Sequence, residues 1–114
     1  MPDPHDDVVG RLITACGAAD IDAIRKVLVP EAVAVCDGGV LPVVHGADDV
    51  AELVIALLGG PGELTPESVN GQAGLALRRA GRAVAVVAVT SAGERIAALW
   101  MVLHPIKLTG WHRP

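Results

Sequence analysis

Apolar residues recur at helical spacing in the first third of the chain and nearly without interruption in the last third. Val9, Leu12, Ile13 and Cys16 lie at i, i+3, i+4 and i+7, one stripe of an amphipathic helix. Asp3 and Pro4 suit its N-cap and first position, and Gly17 suits its end. Asp20 caps a second, shorter helix with Ile21, Ile24 and Leu28 inward, which Pro30 is expected to stop. Ala32 to Cys36 reads as a short strand ending at the turn Asp37-Gly38-Gly39, and Val40 to Val44 as an edge or irregular segment because of Pro42. From Val50 to Leu58 the only polar residue is Glu52, so a third helix over Gly46 to Leu58 must be buried on more than one side. Gly59-Gly60-Pro61-Gly62 breaks it.

The second half predicts antiparallel strands: Ser68 to Asn70, Ala73 to Arg79, Arg82 to Thr90 and Arg95 to Leu103. Pro105 stops the last, and the tail from 104 to 114 reads as irregular. The expected fold is α+β: a curved antiparallel sheet with about three helices on one face, as a single domain over residues 1–114.

Strict alternation puts Val84, Val86 and Ala88 on one face, with Ala83, Ala85, Val87 and Val89 on the other. Ile96, Ala98, Trp100 and Val102 likewise alternate with Ala97, Leu99, Met101 and Leu103. Both faces are therefore apolar, whereas a sheet with one wet face alternates polar and apolar residues. Helices can cover one face; the other needs a cover of its own. A homodimer packed sheet to sheet is the expectation, and a cavity or the tail is the competing explanation.

Composition narrows the function. Hydrophobic residues make up 52% of the 114, so the chain can build a core. Trp100 and Trp111 are the only aromatic residues, which removes the stacking platforms of single-strand nucleic-acid binders and any tyrosine-based mechanism. The net charge of −4 argues against direct nucleic-acid binding. Residues 1–67 hold twelve acids against three bases, and residues 68–114 one acid against six bases. That asymmetry suits self-association or an acidic partner, although a solvated surface is the simpler explanation. No signal core or membrane-length apolar run is present, and a cytoplasmic protein with reduced thiols is expected. Cys16, Cys36 and the four histidines lack metal-ligand spacing; no metal or cofactor is expected, and no phosphate loop or nucleophile elbow is found.

Three stretches carry a family resemblance. They are Val35-Cys36-Asp37-Gly38-Gly39 with Val44-His45-Gly46-Ala47-Asp48-Asp49-Val50; Val69-Asn70-Gly71-Gln72-Ala73-Gly74-Leu75 with Arg79-Ala80-Gly81-Arg82-Ala83-Val84; and Ile96 through Leu108. Together they resemble the SnoaL-like branch of the nuclear transport factor 2-like superfamily, cone-shaped domains with a pocket between sheet and helices. More narrowly, they are similar to the SnoaL-like domain at the C-terminus of sigma-J-type extracytoplasmic-function sigma factors. Val40 departs from that family's Asp-Gly-Gly-Gly motif, and His104 and Ile106 from its Asn-Pro-Asp-Lys-Leu stretch. The regions that bind polymerase and promoter are absent from this sequence, so the resemblance implies at most action on a sigma factor or RNA polymerase in trans.

The superfamily also includes isomerases and cyclases, whose chemistry needs a base in an apolar pocket and a donor for an enolate oxygen. Asp37 and His45 are the candidate bases. Asp37 equally serves as a cap for its Gly-Gly turn, and His45 as a surface loop residue. Asn70, Trp100, His104 and Cys36 are the candidate pocket residues, although Asn70-Gly71 is also a hairpin signature and Trp100 a natural core or interface anchor. With no Tyr and no paired acid and donor, the expected role is a small dimeric module that binds a small apolar ligand or acts as a regulatory or interaction domain. The alternative is a polyketide cyclase, isomerase or hydrolase using Asp37 or His45.

Overall fold

The computed structural model describes residues 4–38, 43–103 and 105–111. Helix α1 spans Pro4–Gly17, and α2 spans Ile21–Val27 with the Asp20 carboxylate accepting from the Ala23 N–H at 3.1 Å. Strand β1 (Leu28–Asp37) and β2 (Val43–His45) follow, then α3 (Ala47–Leu58). Four strands complete the sheet: β3 (Glu63–Val69), β4 (Gln72–Arg79), β5 (Arg82–Ala92) and β6 (Arg95–Val102). The order across the sheet is β2-β1-β6-β5-β4-β3. The expected curved sheet and helix layer are both there.

The pairing is antiparallel everywhere except between β1 and β6, which run parallel. Parallel neighbours need a long crossover. Here that crossover is everything from β2 to β5, and no local pattern reveals it. Pro30 does not end α2. The helix stops at Val27 and Pro30 lies inside β1, where the ladder to β6 breaks between Leu28 and Val33 and needs no proline N–H. Strand β3 is longer than predicted and contains Pro66, tolerated because β3 is the sheet's edge.

Helices α1, α2 and α3 pack on one sheet face. Leu12, Val54, Leu75, Leu77, Leu99 and Met101 meet there, all buried. Cys16 belongs to the same core, and burial pushes its thiol pKa from 9.0 up to about 12.

Strict alternation fails twice, for one reason. Arg78 pairs with Ala83 while Leu77 pairs with Ala85, so Val84 is an extra residue in β5. Past that bulge Val84 and Ala85 both join the helix-side core, and Ala83 joins Val86 on the opposite face. A second bulge at Ala97 moves Ile96 into the helix-side core, away from the face of Trp100 and Val102.

The tail is not irregular over its described part. Helix α4 (Pro105–Leu108) and a 3-10 turn (Thr109–Trp111) form a strap across the second face. Leu108 and Trp111, three apart on one side of this coil, pack on Ala76, Ala83 and Val86. Arg78 fixes the strap: its Nε–H donates to the Trp111 carbonyl at 2.9 Å. Its other nitrogens donate to the Thr65 hydroxyl at 2.6 Å and the Glu67 carboxylate at 2.7 Å. This buried ion pair joins β3, β4 and the strap, which is how a guanidinium survives on an apolar face.

Two predictions follow from this packing. A Cβ at Gly74 would lie 2.4 Å from the Val87 carbonyl oxygen and 2.8 Å from Val69 Cγ2. Gly74→Ala is expected to cost about 3 kcal/mol in denaturant unfolding. Because the folded thiol of Cys16 resists ionisation, its contribution is complete below the unfolded pKa and lost as pH rises from 9.0 toward about 12. Relative to Cys16→Ala, the protein should lose about 1.4 kcal/mol between roughly pH 8 and pH 10 in urea titrations.

Candidate functional site

The strap turns the second sheet face into a cleft of about 510 Å³ lined by Val69, Asn70, Val86, Ala88, Trp100, Val102, Lys107 and Trp111. Trp100 stands mid-strand on β6 between Leu99 and Met101, which point to the helices, and is 50% exposed. The expected pocket lined by Trp100 beneath the helices is therefore absent among the described residues; the cleft lies on the other side of the sheet. Asn70 reaches it from the β3–β4 hairpin, where Asn70 and Gly71 both adopt positive φ (53° and 81°), the geometry of a tight two-residue turn.

Asp37 ends β1 on this same face, in register with Val102. Its carboxylate accepts from Lys107 Nζ at 2.6 Å, and its backbone carbonyl accepts from the Leu103 N–H at 2.8 Å. The expected turn-capping side chain is thus engaged with the strap, and the pair sits at the cleft's rim through Lys107.

The other candidates lie elsewhere. Cys36 is buried in the helix-side core, and burial pushes its thiol up. His45 is exposed on β2, in an edge groove with Val43, Val44, Asp49, Glu52 and Leu53. His104 lies outside the described residues. Of the six residues singled out, Asn70 and Trp100 share the cleft and Asp37 reaches its rim. The sequence reading missed Lys107 and Trp111. The available signal was that Trp111 is one of only two aromatic residues in the chain. A four-residue helix offers no periodicity to detect.

His5 has a structural role. One ring nitrogen, Nε2, donates to the Ala73 carbonyl and the other, Nδ1, accepts from the Ser91 hydroxyl, each at 2.8 Å. These bonds tie the start of α1 to β4 and β5. Among the described residues no cluster of three or more His, Cys, Asp or Glu side chains has metal-binding geometry, and no helix is long and apolar enough to cross a membrane.

Comparison with known proteins places the domain. No family model matches the chain. The chain is 35% identical to the ECF RNA polymerase sigma factor SigJ of Mycobacterium tuberculosis over 96% of its own length. It spans only 41% of that protein, less than half. The crystal structure of SigJ superposes with a TM-score of 0.70 and 31% identity, covering 96% of this chain and 45% of SigJ. An NTF-2 like protein of unknown function from Burkholderia xenovorans gives a TM-score of 0.66 at 13% identity, covering 97% of this chain and 94% of its own. A Mycobacterium tuberculosis LEH-like epoxide hydrolase gives 0.62 at 15% identity, covering 96% and 89%. At those identities the last two speak to the fold alone. The chain is related along nearly its whole length to the sigma factor SigJ and has the fold of nuclear transport factor 2-like proteins.

Proposed function

We propose that this domain is a cytoplasmic interaction module of a sigma-factor system, and that it acts through the strap-bearing sheet face as a homodimer. The observation that carries this is the apolar strip left beside the strap. Trp100 is 50% exposed and Val43 44%, and Val33, Val35, Ala88 and Ala98 around them are only partly covered. Water-exposed apolar surface of this continuity is a docking surface in most proteins.

A second copy is the occupant that the two-sided apolar sheet favours: a twofold axis along the strands would lay the uncovered strip of one copy on that of the other, with the two Trp100 rings near the axis. In the sigma-factor context the same face is where a sigma factor or RNA polymerase would compete.

The catalytic alternative, with Asp37 or His45 as base, has one observation in its favour: Asp37 stands at the rim of a cleft in a fold that an LEH-like epoxide hydrolase shares. Against it, Asp37 is already paired with Lys107, and His45 lies outside that cleft.

Light scattering at micromolar concentration should give about twice the 11.7 kDa chain mass, and Trp100→Glu should halve it while the circular dichroism stays unchanged. A monomeric wild type overturns the dimer. Purified sigma regions of a SigJ-type factor should bind the wild type at least tenfold more tightly than Trp100→Glu (roughly 1.4 kcal/mol), and equal binding would refute the use of this face. Asp37→Asn should loosen the strap and lower stability by about 1 kcal/mol in urea unfolding; the catalytic alternative instead requires it to abolish a turnover.

A further inference from the structure

We propose that the cleft between Trp100 and Trp111 is a binding site for a small, flat, uncharged aromatic molecule. The proposal rests on reading the strap-bearing face as the functional one; a second copy seated over Trp100 would compete with the ligand, so the probe titrations are run below the concentration at which light scattering shows a dimer.

The shape comes from one rung of the sheet. Trp100 pairs across the strands with Ala88, and Ala88 with Gly74. Along that rung Trp100 stands beside the methyl of Ala88, which leaves the floor low next to the indole, while Val69 covers Gly74. The strap supplies the opposite wall, with Trp111 on a coil that Leu108 and the Arg78–Trp111 bond hold down. The two tryptophans of the chain thus line one hollow. The volume of about 510 Å³ suits two or three fused rings, within the usual range for small-molecule sites.

The charge comes from the rim. Lys107 is the cation that lines the cleft, and Asp37 neutralises it at 2.6 Å. The ammonium has two protons beyond the one directed at Asp37, and Asn70 adds an amide. The site therefore offers hydrogen-bond donors with no net charge, which favours a neutral ligand with an acceptor at one edge over an anion. This site is on the opposite side of the sheet from the helix-side core. Since the strap forms one wall, a bound ligand also holds the strap closed.

Because both tryptophans line the cleft, their emission reads occupancy directly. N-phenyl-1-naphthylamine, which is flat and uncharged, should quench tryptophan emission saturably with one site per chain. Its anionic relative 8-anilinonaphthalene-1-sulfonate should bind more weakly. Ala88→Leu, which fills the hollow and leaves both indoles in place, should weaken the neutral probe by at least tenfold, as should Trp100→Ala. Asp37→Asn, which unmasks the Lys107 charge, should move preference toward the sulfonate. The proposal fails if neither probe alters the emission, if folded Ala88→Leu binds as the wild type does, or if the wild type prefers the sulfonate. Light scattering on the same samples reports dimerisation separately, so loss of either reading leaves the other distinguishable.

Discussion

A six-stranded sheet that is apolar on both faces governs this structure. Burying one face is straightforward: α1, α2 and α3 lie on it, and Leu12, Val54, Leu99 and Met101 are buried between them. The other face cannot be left to water, since exposed apolar area costs about 25 cal/mol per Å². The strap covers Ala76, Ala83 and Val86 and stops short of Trp100 and Val43. What remains uncovered is where interaction and ligand binding are proposed.

Polar groups hold the strap to this greasy surface at two points. Arg78 spans from β4 to the Trp111 carbonyl, with Thr65 and Glu67 each accepting from one of its other two nitrogens. Lys107 meets Asp37 at the end of β1. The first pair is buried and geometrically demanding; the second is half-exposed and weaker. The strap is thus pinned firmly at its far end and lightly near the cleft, the part that would move to admit a ligand or partner.

The relationship to SigJ runs along nearly the whole chain, yet the chain spans less than half of SigJ. The shared part supports kinship and fold. It does not carry a reaction, because proteins sharing this architecture are as different as a sigma factor and an epoxide hydrolase. Function has to be argued from the site, and here the site is a cleft of small residues between two indoles.

Much was legible from residue order alone. Capping at Asp20, the stripe of α1, the glycine break after α3 and the Asn70-Gly71 hairpin follow from local chemistry. So does the two-faced apolar character of β5 and β6, because side-chain alternation is a property of consecutive residues. What local chemistry cannot encode is which distant segments become neighbours. The parallel β1–β6 pairing, the bulges that exchange Ala83 with Val84 and relocate Ile96, the strap's return over the sheet and the meeting of Trp100 with Trp111 all depend on long-range packing. Asp37 shows the division well. Its sequence position marks a turn, and only the folded chain brings Lys107 to it from 70 positions further along.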